Sequence, residues 1–171
     1  MQYQINEQVI HWTFGAGKII AIDEKTLGGK TRLYYVFEAE GTTLWVPVEE
    51  GEESSLRPPT PSADFLELLD VFNTPGESLP DQQYQRQTEL ATRMRRKTLY
   101  DVCCVIRDLT ARAHTRKLNR NDAEILRRAE DMLLAEWELS LGADRQQAQR
   151  ELERLVSAIP PLKKSVRLPQ A

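Results

Sequence analysis

The run Arg57-Pro58-Pro59-Thr60-Pro61 constrains the fold more than any other feature, because the residues on its two sides follow different periodicities. Proline fixes one backbone angle and pushes the preceding residue towards extended conformations, so this run is a stiff connector. Before it lie short β-rich stretches: Gln8-Val9-Ile10-His11-Trp12, Lys18-Ile19-Ile20-Ala21-Ile22, Arg32 to Phe37 and Thr43 to Val48. They are punctuated by Phe14-Gly15-Ala16-Gly17, by the hairpin signal Leu27-Gly28-Gly29-Lys30, and by Glu40-Gly41-Thr42. Four or five short strands without an intervening helix predict a small antiparallel, barrel-like sheet over residues 1–57.

After the connector, residues 58–61, the spacing becomes helical. Phe65, Leu66, Leu68, Leu69 and Phe72 predict a short helix stopped by Thr74-Pro75-Gly76, and a second helix begins near Pro80-Asp81. Leu99, Val102, Cys103, Val105, Ile106 and Leu109 line a third. A fourth, capped by Asn119 or Asn121, runs through Ile125, Leu133 and Trp137 to Gly142, and a fifth covers 145–158. The expectation is therefore an α+β protein: a β domain, then an all-α domain of about five helices over 62–158. The stretch 159–171, with three prolines and several bases, reads as a disordered tail.

Charge is unevenly placed. Residues 1–57 hold nine acids and five bases, a net of 5 − 9 = −4, whereas residues 82–122 hold ten bases and four acids, a net of 10 − 4 = +6. Different partners for the two parts follow from that asymmetry. Two basic clusters stand out, Arg93-Arg95-Arg96-Lys97 at a helix end and Arg112-Arg116-Lys117-Arg120 around the next loop. Bases at a helix end complement its dipole, and they also suit backbone phosphates. Nothing resembles a helix that reads base edges, so any DNA binding is expected to be largely independent of sequence. The first part is rich in aromatics, Trp12, Tyr34, Tyr35, Phe37 and Trp45; most must fill a core, while strand alternation leaves one apolar face partly open for docking.

Catalysis has little support. The two histidines, His11 and His114, lie on a strand and at a helix end. Cys103 and His114 are eleven residues apart on a helix, about 16 Å at 1.5 Å per residue, too far for a thiolate pair. Neither glycine turn sits between a strand and a helix as a phosphate loop requires, and the spacing offers no zinc site. The adjacent Cys103 and Cys104 read as buried reduced thiols, with redox sensing or metal binding as a minor alternative. No enzyme activity, cofactor, metal or membrane span is expected, and the default address is the cytoplasm.

The chain resembles the CarD/CdnL family of bacterial RNA polymerase-binding regulators, and its first part also resembles the polymerase-interaction domain of the transcription-repair coupling factor. The resemblance rests on Asn6-Glu7-Gln8-Val9-Ile10, Phe14-Gly15-Ala16-Gly17, Ile22 to Thr26, the hairpin through Gly29 to Val36, and Leu44-Trp45-Val46-Pro47-Val48. In the helical part it rests on Val105 to Leu109, Leu118-Asn119 and the segment from Ala129 to Glu136. It implies a Tudor-like β barrel held against the polymerase β subunit through Lys25, Trp45 and Pro47. It also implies a helical domain on promoter DNA at the upstream edge of the bubble, where it stabilises the open complex. Tyr84 stands where the family carries a minor-groove wedge tryptophan, Arg86 matches a DNA-contacting arginine, and Arg93, Arg95, Arg96 and Lys97 would contact the DNA backbone. A monomer is expected. The alternative is an adaptor that docks on polymerase without productive DNA binding.

Overall fold

The computed structural model describes residues 3–48 and 54–162. Five strands come first: β1 Gln8–His11, β2 Gly15–Leu27, β3 Lys30–Ala39, β4 Thr42–Pro47 and β5 Leu56–Arg57. Five helices follow: α1 Ser62–Leu68, α2 Gln83–Arg95, α3 Leu99–Ala113, α4 Arg120–Leu141 and α5 Arg145–Ser157, with a 3-10 turn over Leu69–Asn73 after α1. The protein is α+β.

All strand pairs are antiparallel, in the order β4-β3-β2-β1-β5. The β2–β3 hairpin closes from Leu27 to Lys30 through Gly28 and Gly29, both at positive φ, the backbone that a two-residue turn with the right twist requires. The sequence predicted this turn, but placed the second strand only over 18–22. In the fold β2 extends on both sides, because Gly15–Lys18 pair with β1 and Lys25–Leu27 with the far end of β3. The expected antiparallel, barrel-like sheet is an open order of five strands: β5 is two residues long and pairs with β1, and no ladder joins it to β4 among the described residues.

Alternation sorts the sheet into two faces. Tyr35, Phe37, Val46, Ile19 and Val9 form the inner one, joined by Tyr3, whose hydroxyl donates to the Leu56 carbonyl at 3.3 Å. A second core gathers Phe65, Phe72, Leu90, Val105, Ile106, Leu109, Leu133 and Trp137 from the helices. α3 is its centre and is buried on nearly every side, so even its polar residues Arg107, Asp108 and Arg112 are buried and ion-paired. Thr98 caps it and accepts from the Asp101 amide at 3.1 Å; Asn119, rather than Asn121, caps α4 and accepts from the Asp122 amide at 2.8 Å. Gly142, at φ 61, ends α4 as expected. Ile159, assigned by the sequence to a disordered tail, is buried in this core, and Leu162 packs beside it; residues 163–171 of that tail lie outside the described residues.

The two parts are pinned together by Glu136 of α4, which is 2% exposed. Its carboxylate accepts from Arg57 Nη1 and Nη2, each at 2.7 Å, and from the Thr60 amide at 2.9 Å and hydroxyl at 2.6 Å. Arg128 Nη2 donates to the Thr13 carbonyl at 2.7 Å, and Lys97 Nζ to the Ser54 carbonyl at 2.8 Å.

Candidate functional site

Cross-strand register places Lys25, Trp45 and Pro47 on one face of the sheet, opposite the core. Trp45 pairs with Val36 and Val36 with Ala21, Pro47 pairs with Tyr34 and Tyr34 with Asp23, and Arg32 pairs with Lys25. The Lys25 ammonium lies 3.5 Å from the centroid of the Trp45 ring, in the geometry of a cation–π contact. On its other edge the indole N–H donates to Asp23 Oδ2 at 3.4 Å. Trp45 is thus held by two charged neighbours and is still 47% exposed, on the edge strand β4. Leu33, 43% exposed, and Leu27, 63% exposed, lie at the far end of the β2–β3 ribbon. Asp23 was not singled out from sequence, although its spacing of two from Lys25 puts both on one face of a strand.

A second exposed aromatic, Tyr84, lies in the first turn of α2 and is 77% exposed. The turn beneath it is braced. Arg86 Nε donates to Asp122 Oδ2 of α4 at 2.8 Å, and its Nη1 donates to the carbonyls of Pro80 at 2.9 Å and Asp81 at 2.8 Å. Asp81 in turn accepts from Arg116 at 2.7 Å and lies 3.5 Å from Arg112. The heads of α2 and α4 therefore meet beside the α3–α4 loop, where Arg116, Lys117 and Arg120 are exposed.

The basic residues expected on DNA do not form one patch. Arg86 is 4% exposed, and the interior groups just named take its guanidinium. Arg93 bonds to Asp108 Oδ2 at 2.6 Å and to Glu89, with a side chain 15% exposed. These two carboxylates hold its guanidinium charged, above its ordinary range, despite burial that works the other way. Arg96 is exposed but lies 3.5 Å from Asp101. Lys97 has left-handed backbone and reaches the β part through Ser54. Arg95 alone of the cluster is exposed without a hydrogen bond or ion pair among the described residues. The pairing decides which of the ten bases stay available: Asp81, Glu89, Asp101, Asp108 and Asp122, scattered along the chain, take up Arg86, Arg93, Arg96, Arg107, Arg112 and Arg116, and the excess positive charge is left on residues such as Arg95, Lys117 and Arg120. Linear charge counting gave no signal of that pairing.

The thiols are poor reagents. Cys103 is wholly buried and Cys104 nearly so, and burial pushes both above the usual thiol range, so the thiolate is disfavoured. No helix among the described residues is long and apolar enough to cross a membrane.

The comparisons cover both parts of the chain. Residues 3–59 match the family model of the CarD-like/TRCF RID domain, and residues 67–153 match that of the CarD C-terminal domain. Over 151 residues the chain is 27% identical to a Bacillus subtilis (strain 168) protein named "Putative transcription factor YdeB", covering 85% of this chain and 96% of that one. With both halves matched in order, the chain belongs to the CarD family of transcription regulators.

Proposed function

We propose that the protein regulates transcription by holding RNA polymerase and promoter DNA at once. The sheet face of Asp23, Lys25, Trp45 and Pro47 docks on the polymerase β subunit, and the head of α2, led by Tyr84, meets DNA at the upstream edge of the bubble. The observation that carries this reading is that two aromatics, Trp45 and Tyr84, are held open to solvent on separate parts of one chain. Charged neighbours fix Trp45, and an interior ion pair fixes the helix under Tyr84.

The chemistry suits each partner. A tryptophan at an edge strand buries a large area at little entropic cost and leaves β4 backbone groups for strand addition. A tyrosine at a helix head can enter the minor groove as a wedge, while Arg116, Lys117 and Arg120 are near enough to approach phosphates. Arg86 serves as a brace for the Tyr84 turn rather than as a phosphate ligand, and Arg93 as an interior tie between α2 and α3. Because docking on polymerase makes the DNA contact intramolecular, weak DNA affinity is sufficient. Such a regulator stabilises the open complex by binding it better than the closed one. We take the protein to act as a monomer in the cytoplasm, without a cofactor.

The test is the lifetime of an open complex on a promoter fragment with purified polymerase. Trp45→Ala should abolish retention by polymerase, whereas Tyr84→Ala should leave retention intact and remove the gain in lifetime. Wild-type behaviour from both variants would overturn the reading. The adaptor alternative is favoured by the interior pairing of Arg86 and Arg93; for it, retention would persist and Tyr84→Ala would have no effect on lifetime.

A further inference from the structure

Between the two parts lies a cavity of about 290 Å³, lined by Trp12 and Thr13 of the β1–β2 turn, Ala91, Met94 and Arg95 of α2, and Ile125 and Arg128 of α4. Its volume lies just below the range for small-molecule sites, about 300–1,000 Å³, which suits a small ligand unit. Most of the wall is apolar, and both charged side chains on it are arginines. Neither has a carboxylate within ion-pair distance among the described residues: Arg95 is exposed without a partner, and Arg128 donates to the Thr13 carbonyl. Glu124, one turn from Arg128, bonds to Arg127 instead. A larger cavity of about 420 Å³ also carries arginines, but there Arg93, Arg96 and Arg107 are opposed by Glu77, Glu89 and Asp101. Of these two cavities, the first has the more apolar wall and no carboxylate among its lining residues.

Trp12 gives this wall a flat, rigid element. Its ring stacks on His11, with centroids 6.0 Å apart and planes at 20°. His11 is itself held by the Thr13 and Phe14 amides, which donate to its Nδ1 at 3.0 and 3.2 Å. A flat apolar body against the indole, joined to an anion that two guanidiniums can grip, is the chemistry of a nucleotide.

We propose that this interdomain cavity binds one nucleotide unit, with its base against Trp12, Met94 and Ile125 and its phosphate on Arg95 and Arg128. The unit comes either from a free mononucleotide or from single-stranded DNA. The second source is geometrically natural, because Tyr84, Thr88, Ala91 and Arg95 fall on one stripe of α2, about 16 Å from Tyr84 to Arg95 at 1.5 Å per residue. The site does not depend on the polymerase reading. Since its walls come from both parts, and Arg128 also ties them together through Thr13, occupancy would bear on how firmly they are joined.

The experiment titrates the full-length protein with AMP, adenosine, inorganic phosphate and a short oligo(dA), followed by calorimetry and by the indole N–H resonances of the three tryptophans. The expected result is saturable one-to-one binding of AMP, of the oligonucleotide or of both, at least ~10-fold tighter than adenosine or phosphate alone. The Trp12 resonance should move, and those of Trp45 and Trp137 should stay. Arg95→Glu with Arg128→Glu should weaken binding ~10-fold or more, and Trp12→Leu several-fold; Trp12→Phe, which keeps a flat ring, should retain most of it. AMP alone binding identifies a free nucleotide as the ligand, and a preference for oligo(dA) identifies the single strand. No saturable binding of either, movement of Trp45 instead of Trp12, or binding unchanged by the arginine variants overturns the proposal.

Discussion

Arg86 and Tyr84 are two residues apart on α2 and have opposite fates. Arg86 is buried against Asp122, whose other carboxylate oxygen, Oδ1, has no hydrogen-bond partner among the described residues. Removing one member of a buried pair strands the other charge, so Arg86→Ala should destabilise the protein by about 3–5 kcal/mol, read as a lower urea midpoint. Tyr84→Ala, at an exposed site, should change stability by about 0.5 kcal/mol or less. Equal effects from the two would contradict the assigned roles. The sequence placed both residues correctly on α2, but it could not tell the inward guanidinium from the outward ring, since Asp122 arrives from a helix 36 residues on.

His11 makes a second prediction at this scale. Burial holds its imidazole below the ordinary value, and its Nδ1 must stay unprotonated to accept from the Thr13 and Phe14 amides. Between the folded value and the unfolded one, about 6.5, the unfolded chain binds the extra proton. Stability should therefore fall as pH drops below about 6.5 and level off above it. Urea midpoints at pH 7.5 and 5.5 for the wild type and for His11→Asn should show a smaller drop in the variant. If the drops match, protonation of His11 does not contribute.

Elements were more legible than side-chain partners. The Gly28-Gly29 turn, the cap at Asn119 and the Gly142 stop are local signals, each satisfied by backbone within a few residues. Asn119→Ala should cost about 1 kcal/mol by leaving the first turn of α4 without its cap, measurable as a lower Tm. The same substitution at Asn121, inside α4 and exposed, should be nearly neutral. The start of α2 was read two or three residues early. Pro80 and Asp81 are good first-turn residues, but their carbonyls are taken by Arg86 and the helix begins at Gln83. Extended pairing, not composition, set the length of β2: its distal half is exposed and is held by the β3 ladder.

For the whole molecule, the decisive group is Glu136. Its carboxylate ties the connector to α4 through Arg57 and Thr60, so it fixes how the sheet is carried relative to the helices. Glu136→Ala should cost about 3 kcal/mol, the lower end for a broken buried pair because the Arg57 side chain is 23% exposed. Limited proteolysis of that variant should cut faster within 57–61, and an unchanged rate would show that the tie does not restrain the connector. The proline run revealed a stiff joint; it did not reveal that a glutamate far along the chain would fill the joint with four hydrogen bonds.

The sequence by itself determined the order and type of the main elements, the hairpin turns, the Gly142 stop and the separation into a sheet part and a helical part. These follow from rules that act over a few residues: alternation, helical spacing, proline and glycine geometry. Tertiary structure alone decided which cations remain available. Burial and ion pairing depend on carboxylates brought close by folding, and a Coulomb interaction responds to distance in space rather than along the chain. Arg86 and Arg93 were thereby withdrawn into the interior. Arg95 and Arg128, which the sequence separates by a helix and a half, were brought to the lining of one cavity.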